Sequence, residues 1–353
     1  MAAEPGVILL TLRDLQHRAV RFVVVTVLAA VVFSLLFVMT GLVEQFNREP
    51  FDTVDAFGAT VWVIPEGVSG PFTASSTMTT DAAAEVVATV TAPAVIARSS
   101  LARGSSIEEV ILIGHDAGAL GSPPTTSGRA AAAPGELVVD ATMDVDVGDR
   151  VSVAGAEFTV VGRSDDTTLL AGIPLVFMVT TDAQDLVFKS RDVISVVLVA
   201  GAVESVPAGT VATEPDAIAQ DVLGPLESAI ASVDLVRGLL WMVAALIIGA
   251  VVYLSALERQ RDFAVLKAIG TSNSTLLGSL ALEAVLVALG SVLVAAFVQY
   301  LLVPAFPLEV RVPMRAFWQV PLLAVVMALL AGAAGMRRVA TSDPALAFAG
   351  AGA

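Results

Sequence analysis

The sequence predicts a membrane α-helical protein with four transmembrane helices and an extracytoplasmic α+β domain inserted between helices 1 and 2. Only 15% of its 353 residues are charged, whereas a soluble domain averages about a quarter. Uncharged apolar runs of membrane-spanning length occur at residues 22–43, 238–257 and 284–308. Residues 44–234 contain 27 acidic and eight basic residues, a net −19, which leaves +4 for the remainder of a chain of net charge −15. An acidic domain and weakly basic apolar segments indicate opposite sides of a bilayer.

Composition and motifs argue against several kinds of chemistry. The chain contains no cysteine, so neither a disulfide nor thiol chemistry is expected. The acidic balance argues against nucleic acid as a partner. The sequence has neither a GxxxxGK[ST] phosphate loop nor an HExxH zinc motif, which argues against nucleotide hydrolysis and zinc proteolysis by this chain. We expect no catalytic residue, cofactor or metal on it.

Residues 1–18 are predicted to form a cytoplasmic or interfacial N-terminal helix, because apolar residues recur at helical spacing from Ile8 to Leu15. A leader without this role is the alternative. The first transmembrane helix is predicted at residues 19–43. Its uncharged run of 22 residues extends about 33 Å as a helix and exceeds a hydrocarbon core of about 30 Å. The apolar region of a secretory signal has only about 7–15 residues, so an uncleaved anchor is predicted.

Residues 44–235 are predicted to form the extracytoplasmic domain, with more strand than helix. Alternating or β-branched runs predict strands at residues 60–64, 110–113, 136–139, 150–153, 158–161, 175–180 and 193–199. Helices are predicted at residues 82–89, 183–188 and 214–234. Residues 118–134, rich in Gly, Ser, Pro and Ala, predict a mobile loop.

The rest of the chain is predicted to alternate between membrane and solvent. The expected segments are a second span at 236–257, a cytoplasmic helix and turn at 258–275, a third span at 276–303, a short outer loop at 304–315, a fourth span at 316–336 and a cytoplasmic tail at 337–353. Basic residues near span ends favour the cytoplasm. One side has Arg13, Arg18, Arg21, Arg259, Arg261, Lys267, Arg337 and Arg338, and the other has Arg237, Arg311 and Arg315. Both termini are therefore predicted to be cytoplasmic.

The segment between the second and third spans is dense in charge. Its charged residues are Glu258, Arg259, Arg261, Asp262 and Lys267. Each would cost roughly 2.5–3.5 kcal/mol at the centre of a membrane helix, so the segment must lie outside the hydrocarbon. Its apolar residues Phe263, Leu266 and Ile269 recur every three positions, and Gly270 is suited to ending a helix. A short amphipathic helix that docks onto a soluble partner is predicted.

Three other groups of polar residues are candidate sites. His115 and Asp116 are either a metal-ligand pair or, as we favour, an exposed turn, and His115 is the only histidine in the domain that a Ser/His/Asp hydrolase would require. The pairs Asp144/Asp146 and Asp165/Asp166 either bind a cation or, more simply, are solvated. Glu283 lies in an apolar run. It is a proton relay or, as we favour, an interfacial residue or the partner in a helix–helix hydrogen bond.

The stretch LERQRDFAVLKAIGTSNSTLLGSLALEAVLVALG, residues 257–290, closely resembles the segment between the second and third spans of FtsX-like permeases, the four-span subunits of MacB-type ABC transporters. The N-terminal LRDLQHRAVRF is similar to the leader of their DevC-like branch. The stretch PGELVVDATMDVDVGDRVSVAGAEFTVVG is similar to the MacB-like core domain expected at 44–235, and MRRVATSDPALAF to the closing tail.

This resemblance implies a permease subunit without catalytic activity. It implies a homo- or heterodimer that carries two copies of a separate cytoplasmic ABC ATPase, which binds ATP and Mg. The segment from residue 258 to 270 would be the coupling helix seated in that ATPase. The residues implied in coupling are Glu258, Arg259, Arg261, Phe263, Ala264, Leu266, Lys267, Ala268 and Gly270. The chain lacks the long outer insertion with which some relatives contact an outer-membrane tunnel.

Two functions fit this resemblance. In the first, the permease exports or extracts an amphipathic substrate, such as a lipid, peptide or drug, by moving its outer domain when the ATPase hydrolyses ATP. In the second, it moves no solute and transmits the motion to an outer partner, such as a cell-wall hydrolase. We favour the first by analogy with most of the family. The unassigned stretches 72–78 and 118–134 are candidate surfaces for either one.

Overall fold

The structure is a computed structural model that describes residues 19–104, 106–258, 265, 269–303 and 310–340. The chain divides into two compact units. One is Gln45–Ile230, here called the large domain, and the other is Met1–Glu44 with Ala231–Ala353, here called the helical unit. The helix predicted at 1–18 and the end of the predicted tail lie outside the described residues.

The secondary structure is helical at both ends and mixed in the middle. The helices are α1 (Ala19–Ala56), α2 (Thr80–Ala84), α3 (Thr180–Val187), α4 (Pro215–Leu223), α5 (Glu227–Glu258), α6 (Asn273–Leu302) and α7 (Ala316–Ala340). A 3-10 turn, Gly224–Leu226, separates α4 from α5. The strands are β1 (Val61–Pro65), β2 (Met78–Thr79), β3 (Val87–Arg103), β4 (Ser106–His115), β5 (Thr125–Gly128), β6 (Glu136–Asp140), β7 (Arg150–Val153), β8 (Ala156–Ser164), β9 (Thr168–Leu169), β10 (Ile173–Val179), β11 (Val193–Ile194), β12 (Val196–Ser205) and β13 (Thr210–Thr213).

The described residues include three helices long and apolar enough to cross a membrane, Phe22–Ala56, Pro215–Glu258 and Gly278–Leu302. A shorter apolar helix is Ala316–Leu330, the first part of α7. The first two long helices contain the apolar runs 22–43 and 238–257, and the third contains the run 284–308 as far as Leu302. The fourth span remains a prediction, although α7 is helical to Ala340, beyond the predicted end at residue 336.

The helices of the helical unit pack through small and aromatic side chains. One buried cluster takes residues from α1, α5, α6 and α7: Ala29, Ala30, Val32, Phe33, Leu36, Phe37, Ala244, Ile248, Val252, Ala284, Ala288, Val292, Ala295, Ala316, Val320, Ala324 and Ala328. Alanine at many of these positions lets helix backbones approach closely, as is common between helices in membranes. The same helices expose large apolar side chains such as Leu246 and Leu293. Helices that are apolar all round are expected in lipid and not in water.

The large domain is built on one mixed sheet of eleven strands. The order of its main path is β13-β1-β12-β3-β4-β10-β6-β8-β5, while β7 pairs with β3 and β8, and β9 pairs with β10. Strand β10 runs parallel to β4, and β8 runs parallel to β6. Alternate residues of the strands enter two separate cores: Ile111 and Ile113 lie in one, and Val110 and Leu112 lie in the other. Both faces of the sheet are therefore covered.

The end of α1 belongs to the large domain and is fixed there by a buried carboxylate. Glu49 accepts hydrogen bonds from the Thr168 hydroxyl at 2.5 Å and from the Gly172 amide at 2.9 Å. It also accepts one from the amide of Ala171, a residue with a left-handed φ of 69°. The carboxylate thus satisfies the main chain of the turn between β9 and β10, which is otherwise hard to fold without glycine.

The predicted α+β class with more strand than helix is confirmed. Six of the seven predicted strands are present, while residues 193–199 form two strands, β11 and β12, which Ser195 separates. Two further predictions were wrong. Residues 82–89 are not one helix, because α2 ends at Ala84 and β3 begins at Val87. The alanines favoured helix, but pairing of β3 with β12 and β4 determines its conformation. Residues 118–134 are not entirely a loop, since β5 pairs there with β8.

Candidate functional site

The candidate site is the segment that joins α5 to α6. Helix α5 ends at Glu258, and α6 begins at Asn273. The Ile269 amide donates to the Val265 carbonyl at 3.1 Å, a helical bond, and Gly270 then has a left-handed φ of 97°. A residue with a Cβ is strained in that conformation, which is why glycine ends this turn. Ser272 caps α6 by accepting a hydrogen bond from the Thr275 amide at 3.2 Å.

Two of the nine residues predicted for coupling are described, Glu258 and Gly270. Glu258 is exposed at the end of α5. The other seven, Arg259, Arg261, Phe263, Ala264, Leu266, Lys267 and Ala268, lie outside the described residues. Their role stays a prediction from the sequence.

Two apolar side chains within the segment are exposed to solvent. Ile269 is 77% exposed and Val265 is 52% exposed. Both lie among the charged residues of the segment, which exclude it from the hydrocarbon. Exposed apolar side chains outside lipid are typical of a surface that another protein covers.

A buried hydrogen bond joins α5 to α6 beside this segment. The Ser255 hydroxyl donates to the Glu283 carboxylate at 2.5 Å, and both side chains are buried. Ser255 lies one turn before the end of α5, and Glu283 lies near the start of α6. Of the roles considered for Glu283, the helix–helix hydrogen bond is the one that the structure contains. Ser255 was not predicted as its partner, although it is the single serine in the apolar run 238–257.

A second polar contact links α1 to α6 within the helical unit. The Ser34 hydroxyl donates to its own helix at the Ala30 carbonyl, 2.7 Å away, and lies 3.3 Å from the Ala295 carbonyl of α6. Polar bonds between membrane helices replace contacts that lipid cannot provide. Together with the Ser255–Glu283 bond, this contact ties α6 to two other helices.

His115 is not in an exposed turn, and that prediction was wrong. Its side chain is fully buried at the end of β4, where its ring packs edge-on against Phe177. Its Nδ1 lies 3.1 Å from the Asp116 carbonyl. Burial lowers the pKa of this imidazole, with an opposing effect of Asp116. His115 belongs to no group of three or more metal-binding side chains among the described residues.

The acidic pairs do not form a cation site in the described part of the chain. Asp146 pairs with Arg163 at 3.3 Å, and Asp144 lies 3.8 Å from Arg103. Both aspartates are highly exposed, so these ion pairs contribute little to stability. The solvated interpretation fits this pair. Asp165 is exposed as well.

The chain is similar in sequence to membrane transport proteins. The family model described as FtsX-like permease C-terminal matches residues 235–344. A Mycobacterium tuberculosis protein described as an uncharacterized ABC transporter permease is 39% identical over 346 residues, which cover 96% of this chain and 98% of that protein. A second M. tuberculosis protein with the same description is 37% identical over 346 residues, with the same coverage.

Two solved structures are similar to part of the chain. The extracellular domain of the noncanonic ABC-type transporter YknZ from Gram-positive bacteria matches with 12% identity and a TM-score of 0.31, over 42% of this chain and 83% of that one. The periplasmic region of MacB from Actinobacillus actinomycetemcomitans matches with 12% identity and a TM-score of 0.33, over 49% of this chain and 97% of that one.

Proposed function

Because this chain belongs to the FtsX-like family of ABC transporter permeases, we propose that it couples ATP hydrolysis on a separate cytoplasmic ATPase to movement of its large domain. The proposed assembly contains two copies of this chain, or this chain and a related one, with two copies of the ATPase. ATP and Mg would bind to the ATPase. The large domain would lie outside the cytoplasmic membrane and both termini inside. The similarity to whole ABC transporter permeases over 96% of the chain supports this proposal most directly.

The proposed contact with the ATPase is the segment between α5 and α6. It combines charged residues from Glu258 to Lys267 with the exposed apolar residues Val265 and Ile269. A short helix with one apolar face is a common way to fill a groove on a partner. Phe263 and Leu266 would be its principal apolar contacts, with the predicted residues from Glu258 to Gly270 around them.

The segment is bounded by two helices that are tied together next to it. The buried Ser255–Glu283 hydrogen bond joins α5 and α6, so a force on the segment would act on both helices. Helix α5 is continuous from Glu227, in the large domain, to Glu258 at the segment. A continuous helix is suited to passing a displacement along its axis.

We propose transport of an amphipathic substrate, exported or extracted from the membrane, as the outcome of this coupling. Buried polar side chains in the described part of the helical unit are few: Ser34, Ser255, Ser279, Glu283, Ser291 and Gln299. Such a bundle does not provide the polar lining of an aqueous channel. This supports a mechanism in which movement of the large domain, and not an open pore, moves the substrate. Activation of an outer partner without transport would use the same coupling. The two functions are distinguished by identifying the molecule that copurifies with the complex.

The test is replacement of Phe263 and Leu266 by Asp. Each Asp removes apolar surface from the contact and leaves a carboxylate buried there without a partner. We therefore expect the ATPase to be absent when the variant chain is purified in detergent. Stimulated ATP hydrolysis should fall to the rate of the ATPase alone. Copurification and hydrolysis are measured on the same preparation.

The matched control is Met314→Asp, an equivalent change at a residue that is 82% exposed just before α7. It should leave the ATPase bound. Retention of both binding and stimulation by the Phe263/Leu266 variant would contradict the coupling role. A bound lipid, peptide or drug in the wild-type complex would support transport, and a bound cell-wall enzyme would favour the alternative.

A further inference from the structure

The large domain contains a cleft of about 240 Å³ beside strand β3. Its walls are Pro71, Phe72, Thr73, Ala74, Ser75, Ser76, Ile96, Ala97, Arg98, Val187 and Phe188. At about 30 Å³ per water molecule, this volume corresponds to roughly eight waters, and it is smaller than the sites of most drug-sized ligands. The cleft includes most of the stretch 72–78, to which sequence analysis assigned no role.

The cleft lies where β3 changes its partner. On one side of the sheet β12 pairs with β3 as far as Ala94, and β7 pairs with it again from Leu101. Between them the Ser195 side chain bonds to both main-chain groups of Ile96, accepting from the amide at 2.9 Å and donating to the carbonyl at 3.1 Å. Further along, the Ser100 carbonyl accepts from the Ala154 amide at 3.1 Å.

These contacts determine where the main chain of Arg98 points. Successive residues of a strand direct their N–H and C=O groups to opposite edges. Ile96 and Ser100 both direct theirs away from β4, so Arg98, midway between them, does the same. Among the described residues, no group pairs with the Arg98 N–H or C=O on that side. The cleft therefore faces one open position in the edge of β3.

The side chains around the cleft agree with a position at a strand edge. Ile96 and Phe72 belong to the core on one face of the sheet, while Val187 and Phe188 pack against the core on the other face. A cleft lined from both faces lies between them, at the edge. Open strand edges bind extended chains by adding a strand.

The cleft also has a charge preference. Of the described residues that line it, Arg98 alone is charged, in a domain with a large excess of carboxylates. The guanidinium contacts Glu109 through a single nitrogen at 3.4 Å, and both side chains are about half exposed. Four of the five N–H donors of an arginine remain for a second carboxylate when one is used.

We propose that this cleft binds an extended peptide segment, one residue of which pairs with the main chain of Arg98 while a nearby carboxylate contacts its guanidinium. The proposal deepens the proposed function by naming the class of molecule that the large domain engages. The proposal rests on the proposed transport function, so the occupant that we assign is a transported peptide, and a segment of a partner protein is the other outcome of the test.

The first experiment tests the open edge and needs no ligand. Arg98→Pro removes an N–H that bonds to no strand, whereas Ser99→Pro removes one that faces β4. Proline is tolerated in strands only where its missing donor faces away from the ladder. In the full chain in detergent, hydrogen exchange of β3 and β4 should stay slow in the Arg98 variant and become fast in the Ser99 variant. If hydrogen exchange became equally fast in both variants, the conclusion that the Arg98 N–H faces an open edge would be wrong.

The second experiment tests binding with a library of synthetic hexapeptides that have free carboxyl termini. The full chain is incubated with the library without any ATPase, so the result does not depend on the coupling segment. Peptides retained by the wild type are identified by mass spectrometry and measured singly. Arg98→Pro removes both the main-chain N–H and the guanidinium, so it should weaken the best peptide by more than tenfold, whereas Arg98→Gln removes the guanidinium alone and should weaken it less. Ala74→Trp, which fills the cleft from its exposed loop, provides a second test.

The outcomes are distinct. N-methylation of the peptide main chain and removal of its carboxylate should each weaken binding if the proposal holds. Release of the peptide when ATPase and ATP are added identifies it as a transported substrate, and persistent binding identifies a partner segment. The proposal would be overturned if the wild type retained no peptide that the Arg98→Pro and Ala74→Trp variants do not also retain. The coupling role of the 258–270 segment would be unaffected by that result.

Discussion

The large domain and the helical unit treat buried polar groups differently. In the large domain, fully buried Asp140 accepts four hydrogen bonds, from the amide and the hydroxyl of both Thr142 and Thr167, at 2.7–2.8 Å. In the helical unit, buried Ser34 and Ser291 donate to the carbonyl four residues earlier in their own helix. A helix satisfies its main chain by itself, whereas the turns of the large domain depend on such side chains.

The difference indicates where each unit is fragile. Removing Asp140 leaves the buried Thr167 amide without its acceptor and breaks three further hydrogen bonds, from the Thr167 hydroxyl and from exposed Thr142. These bonds fix the turns that follow β6 and precede β9. Removing a hydroxyl from a membrane helix leaves carbonyls that are already bonded in the helix. The predictions below test this contrast and proceed from the largest expected effect to the smallest.

Asp140→Ala should lower the free energy of unfolding of the large domain by about 3 kcal/mol, since the stranded Thr167 amide costs roughly 1–3 kcal/mol and each of the three other lost hydrogen bonds about 0.5–1.5 kcal/mol. Hydrogen exchange of β6 and β8 in the full chain provides the measurement. Glu204→Ala, on an exposed carboxylate of β12, is the matched control and should change stability by less than about 0.5 kcal/mol.

The comparison in the helical unit is Ser291→Ala, which removes a hydroxyl that donates to the Val287 carbonyl of its own helix. That carbonyl can still bond within the helix, so the effect should be several times smaller than that of Asp140→Ala. Equal effects of the two changes would show that the contrast between the units is wrong.

Close packing of glycine provides a second contrast. A Cβ on Gly114 would lie 2.4 Å from the Ala183 Cβ and 3.3 Å from the Thr180 Cα, so Gly114→Ala must displace α3. Overpacking of this kind costs about 1–3 kcal/mol. We expect a loss near 2 kcal/mol, measured as faster hydrogen exchange in α3.

Gly41→Ala is the equivalent substitution at a closely packed glycine of the helical unit. Its Cβ would lie 2.7 Å from the Val310 Cγ1, a side-chain atom on a segment without regular structure. The Ala also gains about 0.5–1 kcal/mol of helix stability over Gly. The net change should be close to zero, whereas Gly238→Ala, where a Cβ meets nothing within 4 Å, should stabilise its helix by about 0.5–1 kcal/mol. A loss at Gly41 as large as that at Gly114 would contradict the difference.

The same contrast explains what the sequence could predict. A membrane helix is recognised from local information, because a long uncharged run is sufficient, and three such runs coincide with long apolar helices. Strand β3 was missed because its Ala, Ser and Thr residues carry a weak alternation and its conformation depends on β12 and β4. The partner of Asp140, Thr167, lies 27 residues away and leaves no local signal.

The candidate site was predictable in position but not in its contacts. The charges between two apolar runs located the segment from Glu258 to Gly270 without any structure. Glu283 was singled out as an ionisable residue in an apolar run. Its contact with Ser255 depends on how α5 and α6 pack, which periodicity alone does not determine. The open edge at Arg98 is likewise a property of strand order and could not be read from residue types.

The last prediction concerns pH. Burial lowers the pKa of His115 below its ordinary value of 6.5 in the folded protein. As pH falls below about 6.5, the unfolded chain takes up a proton that the folded chain does not, so the stability contributed by the neutral form is complete above that pH and is lost below it. The slope is at most about 1.4 kcal/mol per pH unit. His115→Gln should remove this slope between pH 7 and pH 5, measured by denaturant unfolding of the full chain.

Glu136 is the control for this test, because it titrates in another range. Hydrogen bonds from Arg129 and from the Ala132 and Ala133 amides lower its pKa from 4.5 to about 2. The stability that it contributes is complete above pH 4.5 and is lost only as pH falls toward 2, so Glu136→Gln should leave the slope between pH 7 and pH 5 unchanged. An unchanged slope in His115→Gln would mean that the imidazole is not the group that makes the large domain sensitive to mild acid.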